Sequence, residues 1–367
     1  MKKITQTAVI IALLLASLPG NTQNLFSEFS HLFTPARNYV VYRTTDAVNI
    51  DGEANEKSWK KAEWSEHFRD IEGDKCPEPL HPTKMKMMWD DENLYIYAEL
   101  EEPHIWAYYD KMDMIVFHEN DFEVFIDPDR NAHDYYEFEV NARNTLFDLF
   151  LNRPYRKGGT AHIKWNAKGF KSAVKVIGTL NDPTDEDKKW TVEMAIPFAS
   201  LTTTGDYLQP TDGSLWKINF SRVNWQTDLV DGKYTRKINK DTGKRIPEYN
   251  WVWSPQGVIN MHYPERWGFA LFSENKVGKN KVKFQLPQEE ELARYLWLTF
   301  YKQRKYSSKN KSYAQTLNQL QIPATGKISG VPFKMEMEGN KKEFTVTITT
   351  KTNSLTINQL GKIEGIK

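Results

Sequence analysis

Cys76 is the only cysteine in 367 residues, so no intrachain disulfide can form and the core alone must hold the fold. Charge of one sign is not in excess either: 49 basic residues face 48 acidic ones, for a net charge of +1. That balance supplies no field to draw the chain onto nucleic acid or an anionic membrane, and nucleic acid is excluded as an expected partner. Beyond the first two dozen residues no apolar run is long enough to span a bilayer. The motifs G-x-S-x-G, H-E-x-x-H and G-K-[ST] are missing, as is the C-x-x-C-H of covalent haem attachment. The eight histidines are scattered, none paired at zinc-ligand spacing.

Aromatic residues, by contrast, are plentiful: 12 Trp, 17 Tyr and 19 Phe. Large rings bury much area each, so a sizeable core is within reach even though hydrophobic residues make up only 40% of the chain. From Tyr39 to about Phe272, short alternating or β-branched stretches are punctuated by Gly, Pro, Asn and Asp. The clearest are Leu94–Leu100, Phe122–Ile126, Tyr135–Asn141, Phe170–Val176, Thr191–Ile196, Trp216–Val223 and Trp267–Phe272. Many short strands without long amphipathic helices predict a mainly β chain, an antiparallel β-sandwich over 40–272.

Residues 275–286 turn to Lys, Asn and Gly, which marks a boundary. Pro287 then opens a helix with Glu289, Glu290 and Glu291 in its first turn and basic residues in its last, the charge order that suits the helix dipole. Leu292, Leu296 and Phe300 give it an apolar stripe, and three short alternating strands follow. Residues 287–367 therefore read as a small C-terminal α+β extension, to which the sequence assigns no role. At the other end, Lys2 and Lys3 precede the apolar run Ala8–Leu15 and a Pro-Gly break. This pattern predicts a signal peptide over 1–23 and export to the periplasm or the cell exterior.

The stretch ENDFEVFIDPDRNAHDYYEFEVNARN, residues 119–144, carries the chemistry. With period two, Phe122, Val124 and Ile126 share one face while Glu123 takes the other. Tyr136, Phe138 and Val140 oppose Glu137, Glu139 and Asn141 in the same way. The shared polar face fits several chemistries. Glu123 with Glu139 could serve as the carboxylate pair of a glycoside hydrolase. Asp127, Asp129 and Asn131 have the D-x-D-x-N spacing of a calcium loop, yet Ala132 stands where Gly is wanted, and a tight turn needs the same residues. Met85, Met87, Met88, Met261 and His262 could supply haem ligands in a redox domain, or pack in strands. Polysaccharide or oligosaccharide binding fits best: rings lie under the apolar faces of sugars, and charged or amide groups bond their hydroxyls. Glu123, Glu139, Asn141, Asn144 and Arg222 offer the polar groups; Trp106, Tyr108, Tyr109, Phe117, Trp251 and Trp253 sit near turns.

Several blocks in order resemble carbohydrate-binding module family 9: NIDGEANEKSWKKAEW, MMWDDENLYIYAELEEPHIWA, the 119–150 stretch, WTVEMAIPF, WKINFSRVNW and WVWSPQGVINMHYPERWGFALF. The resemblance covers about 40–272 and implies a DOMON-like β-sandwich that binds sugars without cleaving them, often as an appendage of xylanases. By resemblance Glu123 and Asn141 match polar sugar-contacting positions. Glu139 stands where the family has an arginine and Arg222 where it has an amide. Phe117 and Met261 stand in place of the two tryptophans that clamp the sugar. Structural Ca2+ in the family implies the same for this chain, with the Asp127 loop as its place.

Overall fold

The computed structural model describes residues 25–202 and 209–366. The expected signal peptide over 1–23 lies outside them. The strands of the larger part are β1 (Asn38–Arg43), β2 (Arg69–Asp70), β3 (Thr83–Trp89), β4 (Asn93–Glu101), β5 (Asp121–Asp127), β6 (Tyr135–Asn141) and β7 (Leu146–Leu151). They continue with β8 (Ala161–His162), β9 (Lys171–Ile177), β10 (Lys189–Pro197), β11 (Leu215–Asn224), β12 (Thr227–Val230), β13 (Lys233–Arg236), β14 (Tyr249–Val252) and β15 (Gly268–Lys276). One hydrogen-bonded path runs β8-β7-β6-β5-β11-β15-β1-β3-β4-β10-β9 and folds over on itself.

Alternation explains the fold-over. Phe122, Val124 and Ile126 of β5, Phe138 of β6 and Phe220 of β11 meet Leu94, Ile96 and Ala98 of β4 and Trp190, Val192 and Met194 of β10 in one buried cluster. Two sheet layers each bury one face, and neither could do so alone. Truncating a ring at the centre, such as Phe138→Ala, would cost about 3–5 kcal/mol through lost burial and the cavity left behind. Strand β1 is the seam. It pairs with β15 on one side from Asn38–Phe269 to Tyr42–Ser273, and with β3 on the other at Tyr42–Met88 and Arg43–Trp89.

The sandwich is not wholly antiparallel, as the strand pattern predicted, because both pairings of β1 are parallel. Parallel neighbours need a long connection, and β1 and β15 are joined by the whole sandwich between them. Such a pairing leaves no local mark in the sequence.

The remaining residues form the α+β unit. Its helix Gln288–Asn310 lies against an antiparallel sheet of β16 (Thr325–Ile328), β17 (Val331–Gly339), β18 (Phe344–Thr349), β19 (Ser354–Asn358) and β20 (Ile363–Glu364). Leu292, Leu296 and Phe300 are buried beneath it with Val346, Ile348 and Leu355. Its other side meets residues from far away in the chain: Phe26 sits edge-on to Tyr295, and Phe29 stacks on Tyr301. Buried charges join this unit to the sandwich. Arg130 Nη1 meets Glu290 Oε1 at 2.6 Å, and Glu265 accepts from both Arg156 and the Tyr301 hydroxyl.

Candidate functional site

The pairing of β5 with β6 and β11 assembles the site. Glu123 lies opposite Glu139 on one side and Ser221 on the other; Asp121 lies opposite Asn141 and Val223. All point to the outer face of the sandwich, as the alternation predicted. That face is not wet, however. Asp121, Glu123, Glu137 and Glu139 are each buried, and the turn Val116–His118 reaches Glu139 from outside the sheet. The Phe117 amide donates to Glu139 Oε2 at 3.0 Å, and the Trp225 indole pins the turn by donating to the Phe117 carbonyl at 2.9 Å.

A cavity of about 400 Å³ opens beside this turn. Glu123, Glu137 and Glu139 form its floor; Phe117, Phe125, Phe147, Tyr155, Met261 and His262 are among its walls. Eleven large hydrophobic side chains are exposed among the described residues, and five of them ring this one mouth: Ile115, Phe117, Tyr155, Ile163 and Ile259. Such clustering marks a contact surface, since isolated exposed apolar groups would be scattered.

The floor is electrostatically unusual. Burial, and then the charge of Glu123, raises Asp121 and Glu137 well above the usual carboxylate range; burial, and then Asp121, does the same for Glu139. Burial pushes Glu123 up to about 7, with Ser221 pulling the other way and the charge of Glu248 adding to the rise. On the wall, burial and Arg156 lower His262 to about 3, so it is neutral, its Nδ1 3.0 Å from the Tyr135 hydroxyl. A ligand would meet oxygens able to accept and, where protonated, to donate.

Of the residues singled out in the sequence, Phe117, Glu123, Glu139 and Met261 surround this cavity. Phe117 is 38% exposed; Met261 is buried, its sulfur accepting from Gln256 and its carbonyl from the Trp267 indole. Asn141 does not reach the cavity. Its amide donates to Tyr109 O and Glu119 Oε2, and its oxygen accepts from Arg143 N and Thr145 N, so it is used up in organising the turn after β6. Arg222 faces the other way. Paired with inward-facing Phe122, it enters the sandwich, bonds Glu102 Oε2 at 2.7 Å and Thr83 Oγ1 at 3.0 Å, and is almost fully buried.

The ring candidates Trp106, Trp251 and Trp253 are buried packing residues, and Asn144 bonds Ser172. Met85 and Met87 lie in the core and Met88 packs with Trp59, which leaves those thioethers to packing rather than to haem. The Asp127 loop is a self-satisfied turn. Asp127 accepts from the amides of Arg130 and Ala132, Asp129 from that of Asn131, and Asn131 from that of His133. Arg130, Ala132 and Asp134 adopt left-handed backbone conformations, which L residues resist, and the bonds to Asp127 hold the first two there. Asp127, Asp129 and Asn131 thus spend side-chain oxygens on the loop's own amides, and among the described residues the two carboxyls are joined by no third carboxyl, imidazole or thiol group within reach of one ion.

Sequence reasoning missed Tyr155, whose three-residue turn carries no periodic signal, and the depth of Asp121 and Glu137. Parity with Glu123 and Glu139 does place the last two on the right face.

Residues 50–245, more than half of the chain, match the family described as Carbohydrate family 9 binding domain-like. The chain belongs to that family. This family 9 chain is 29% identical over 117 residues to exoglucanase XynX of Acetivibrio thermocellus, and to the same extent to endo-1,4-beta-xylanase A of Thermoanaerobacterium saccharolyticum. Those stretches are 32% of this chain but only 9% and 8% of the two relatives. Among solved structures it is similar to a putative carbohydrate-binding protein from Bacteroides uniformis ATCC 8492, at 16% identity and a TM-score of 0.48, with 65% of this chain and 100% of that one covered. A family 9 carbohydrate-binding module from Caldicellulosiruptor kristjanssonii in complex with cellotriose aligns over 68% of this chain and 100% of its own, at 16% identity and a TM-score of 0.39.

Proposed function

We propose that the cavity on the outer face of β5, β6 and β11 binds a glycan without cleaving it, and that the chain is exported to do so. The observation that carries this reading is the ring of five exposed apolar side chains around a floor of oxygen groups. Sugars are amphipathic in the matching sense: apolar ring faces suit Phe117 and Tyr155, while hydroxyls suit carboxyl oxygens. Family membership supports a carbohydrate ligand, and the relatives' printed names point to a plant-type β-linked chain. Among the described residues no helix is long and apolar enough to cross a membrane. The Lys2, Lys3 and Ala8–Leu15 pattern supports export.

Binding is favoured over hydrolysis on geometric grounds. A glycosidase sets two carboxylates on either side of the bond it breaks. Glu123 and Glu139 instead lie side by side on adjacent strands, crowded by Asp121, under the cover of Phe117. Calorimetry with cellotriose and xylotriose, beside a reducing-sugar assay on mixed plant polysaccharides, tests the reading. The expected result is binding without sugar release, weakened roughly tenfold in Phe117→Ala by loss of the ring platform. Sugar release abolished by Glu123→Gln would establish a hydrolase; no binding to any glycan tested would overturn the proposal.

A further inference from the structure

We propose that Asp121, Glu123, Glu139 and Ser221 form a binding site for a hard divalent cation of calcium's class beneath the floor of the cavity. One carboxylate oxygen from each of the three acids lies within 4.8 Å of the others, and all three side chains are buried. The independent observation is the state of their atoms. Neither oxygen of Asp121, nor Glu123 Oε2, nor the Ser221 hydroxyl meets a hydrogen-bond partner, although each is sealed from solvent. The Val223 amide and the Ser221 hydroxyl approach Asp121 and Glu123, but without hydrogen-bond geometry.

Buried polar atoms are almost always paired, and four orphans converging on one spot call for a partner outside the chain. After burial, the charge that weighs most on Asp121 is that of Glu123, and the one that weighs most on Glu139 is that of Asp121. Uncompensated charge at such depth costs several kcal/mol, so a cation would supply what is missing. The donor set decides its kind. Every donor is a carboxylate or hydroxyl oxygen, with no imidazole or thiol among them, which suits Ca2+ or Mg2+ and disfavours zinc and copper. Glu123 and Glu139 also line the cavity while Asp121 lies under it, so the site reaches from the sheet to the cavity floor. The inference stands whether or not the cavity takes a sugar, since every named donor is a side chain of this protein.

The contrast with Asp70, Glu72 and Cys76 supports this choice. That trio also lies close together, but it is half-exposed, and Asp70 already accepts from the Glu72 amide. It serves as a control.

The test takes the full chain, stripped with chelator and free of sugar, and titrates it with CaCl2 and separately MgCl2 by calorimetry and thermal melting. The expected result is one ion per chain and a melting temperature raised by about 3 °C or more at saturation. Asp121→Asn and Glu123→Gln should each weaken uptake about tenfold or more. Asp70→Asn and Asp129→Asn should leave it unchanged. Asp121→Asn should melt no lower than wild type in chelator, because it relieves crowding among carboxylates; if it fails to fold, Glu123→Gln decides. No uptake of either ion, undiminished uptake in the deciding variant, or loss of uptake in Asp129→Asn would overturn the proposal.

Discussion

Adjacent residues of β11 lead to two buried charged groups of opposite character. Arg222 points into the sandwich, where Glu102 accepts from it and from Asn120 and Asn224, Thr83 Oγ1 and the His81 carbonyl also accept from it, and its guanidinium lies over the Trp251 ring. Ser221 points outward to Asp121, Glu123 and Glu139, where four oxygens find no partner. Burial is alike on the two faces, yet on one the opposite charges are paired within the protein, with only Arg222 Nε left unbonded, and on the other like charges stand together with no counter-charge. The difference teaches that burial does not by itself mark a structural charge. What distinguishes a structural group from a receptive one is whether the chain satisfies its own atoms.

The largest effect should come from breaking the paired charges. Glu102→Ala strands the Arg222 guanidinium and two amides, and denaturant unfolding should show a loss of about 3–5 kcal/mol. Replacing Arg222 and Glu102 together by Met and Leu should recover most of that loss; if it does not, the network contributes beyond its own neutralisation.

Next comes pH. Burial and Arg156 lower His262 from the ordinary 6.5 to about 3, so below about 6.5 the unfolded chain takes a proton that the folded chain refuses. Stability should therefore fall as pH drops from about 6.5 toward the folded value. A His262→Gln variant should lose about 2 kcal/mol less than wild type between pH 7 and 4.5, measured by urea melts at each pH.

Opening the crowded side should have the reverse sign and a smaller size. In chelator at neutral pH, Glu137→Gln should raise stability by about 1 kcal/mol, a shift of about 2 °C in the melt. A loss instead would show that the carboxyl is held by a bond of its own. The smallest change should be Ser221→Ala in chelator. A buried hydroxyl that made a hydrogen bond would cost about 1 kcal/mol to remove, whereas this unpartnered one should cost less than about 0.5 kcal/mol by the same melt.

Much of this arrangement was legible in the sequence, and the parts that were not share a physical cause. Period two gave strands β5 and β6 and the common face of Glu123, Glu137 and Glu139, because side-chain alternation is a local property of the extended chain. It gave direction but not depth. The cover over Glu139 comes from the Val116–His118 turn, pinned by Trp225, which only the tertiary fold brings there.

Arg222 shows the limit of parity. Its facing is fixed by pairing with Phe122, a hundred residues away, and a shift of one residue would reverse it. Asn141 ends its strand, where an amide is as useful to a turn as to a ligand, and the turn takes it. The long helix and its stripe were readable because their charge order and spacing are local. Its buried ion pair with Arg130 was not.

Strand β1 has a consequence in time. Its partner β15 is made roughly 230 residues later, so the first strand of the sandwich emerges with one edge unpaired until nearly the whole body of the fold exists. Contacts of such long range close slowly, and an open edge in the interval invites pairing with other chains. A leader that kept the chain unfolded until release would deliver β1 and β15 together, so that the seam forms in a single event rather than waiting half-made.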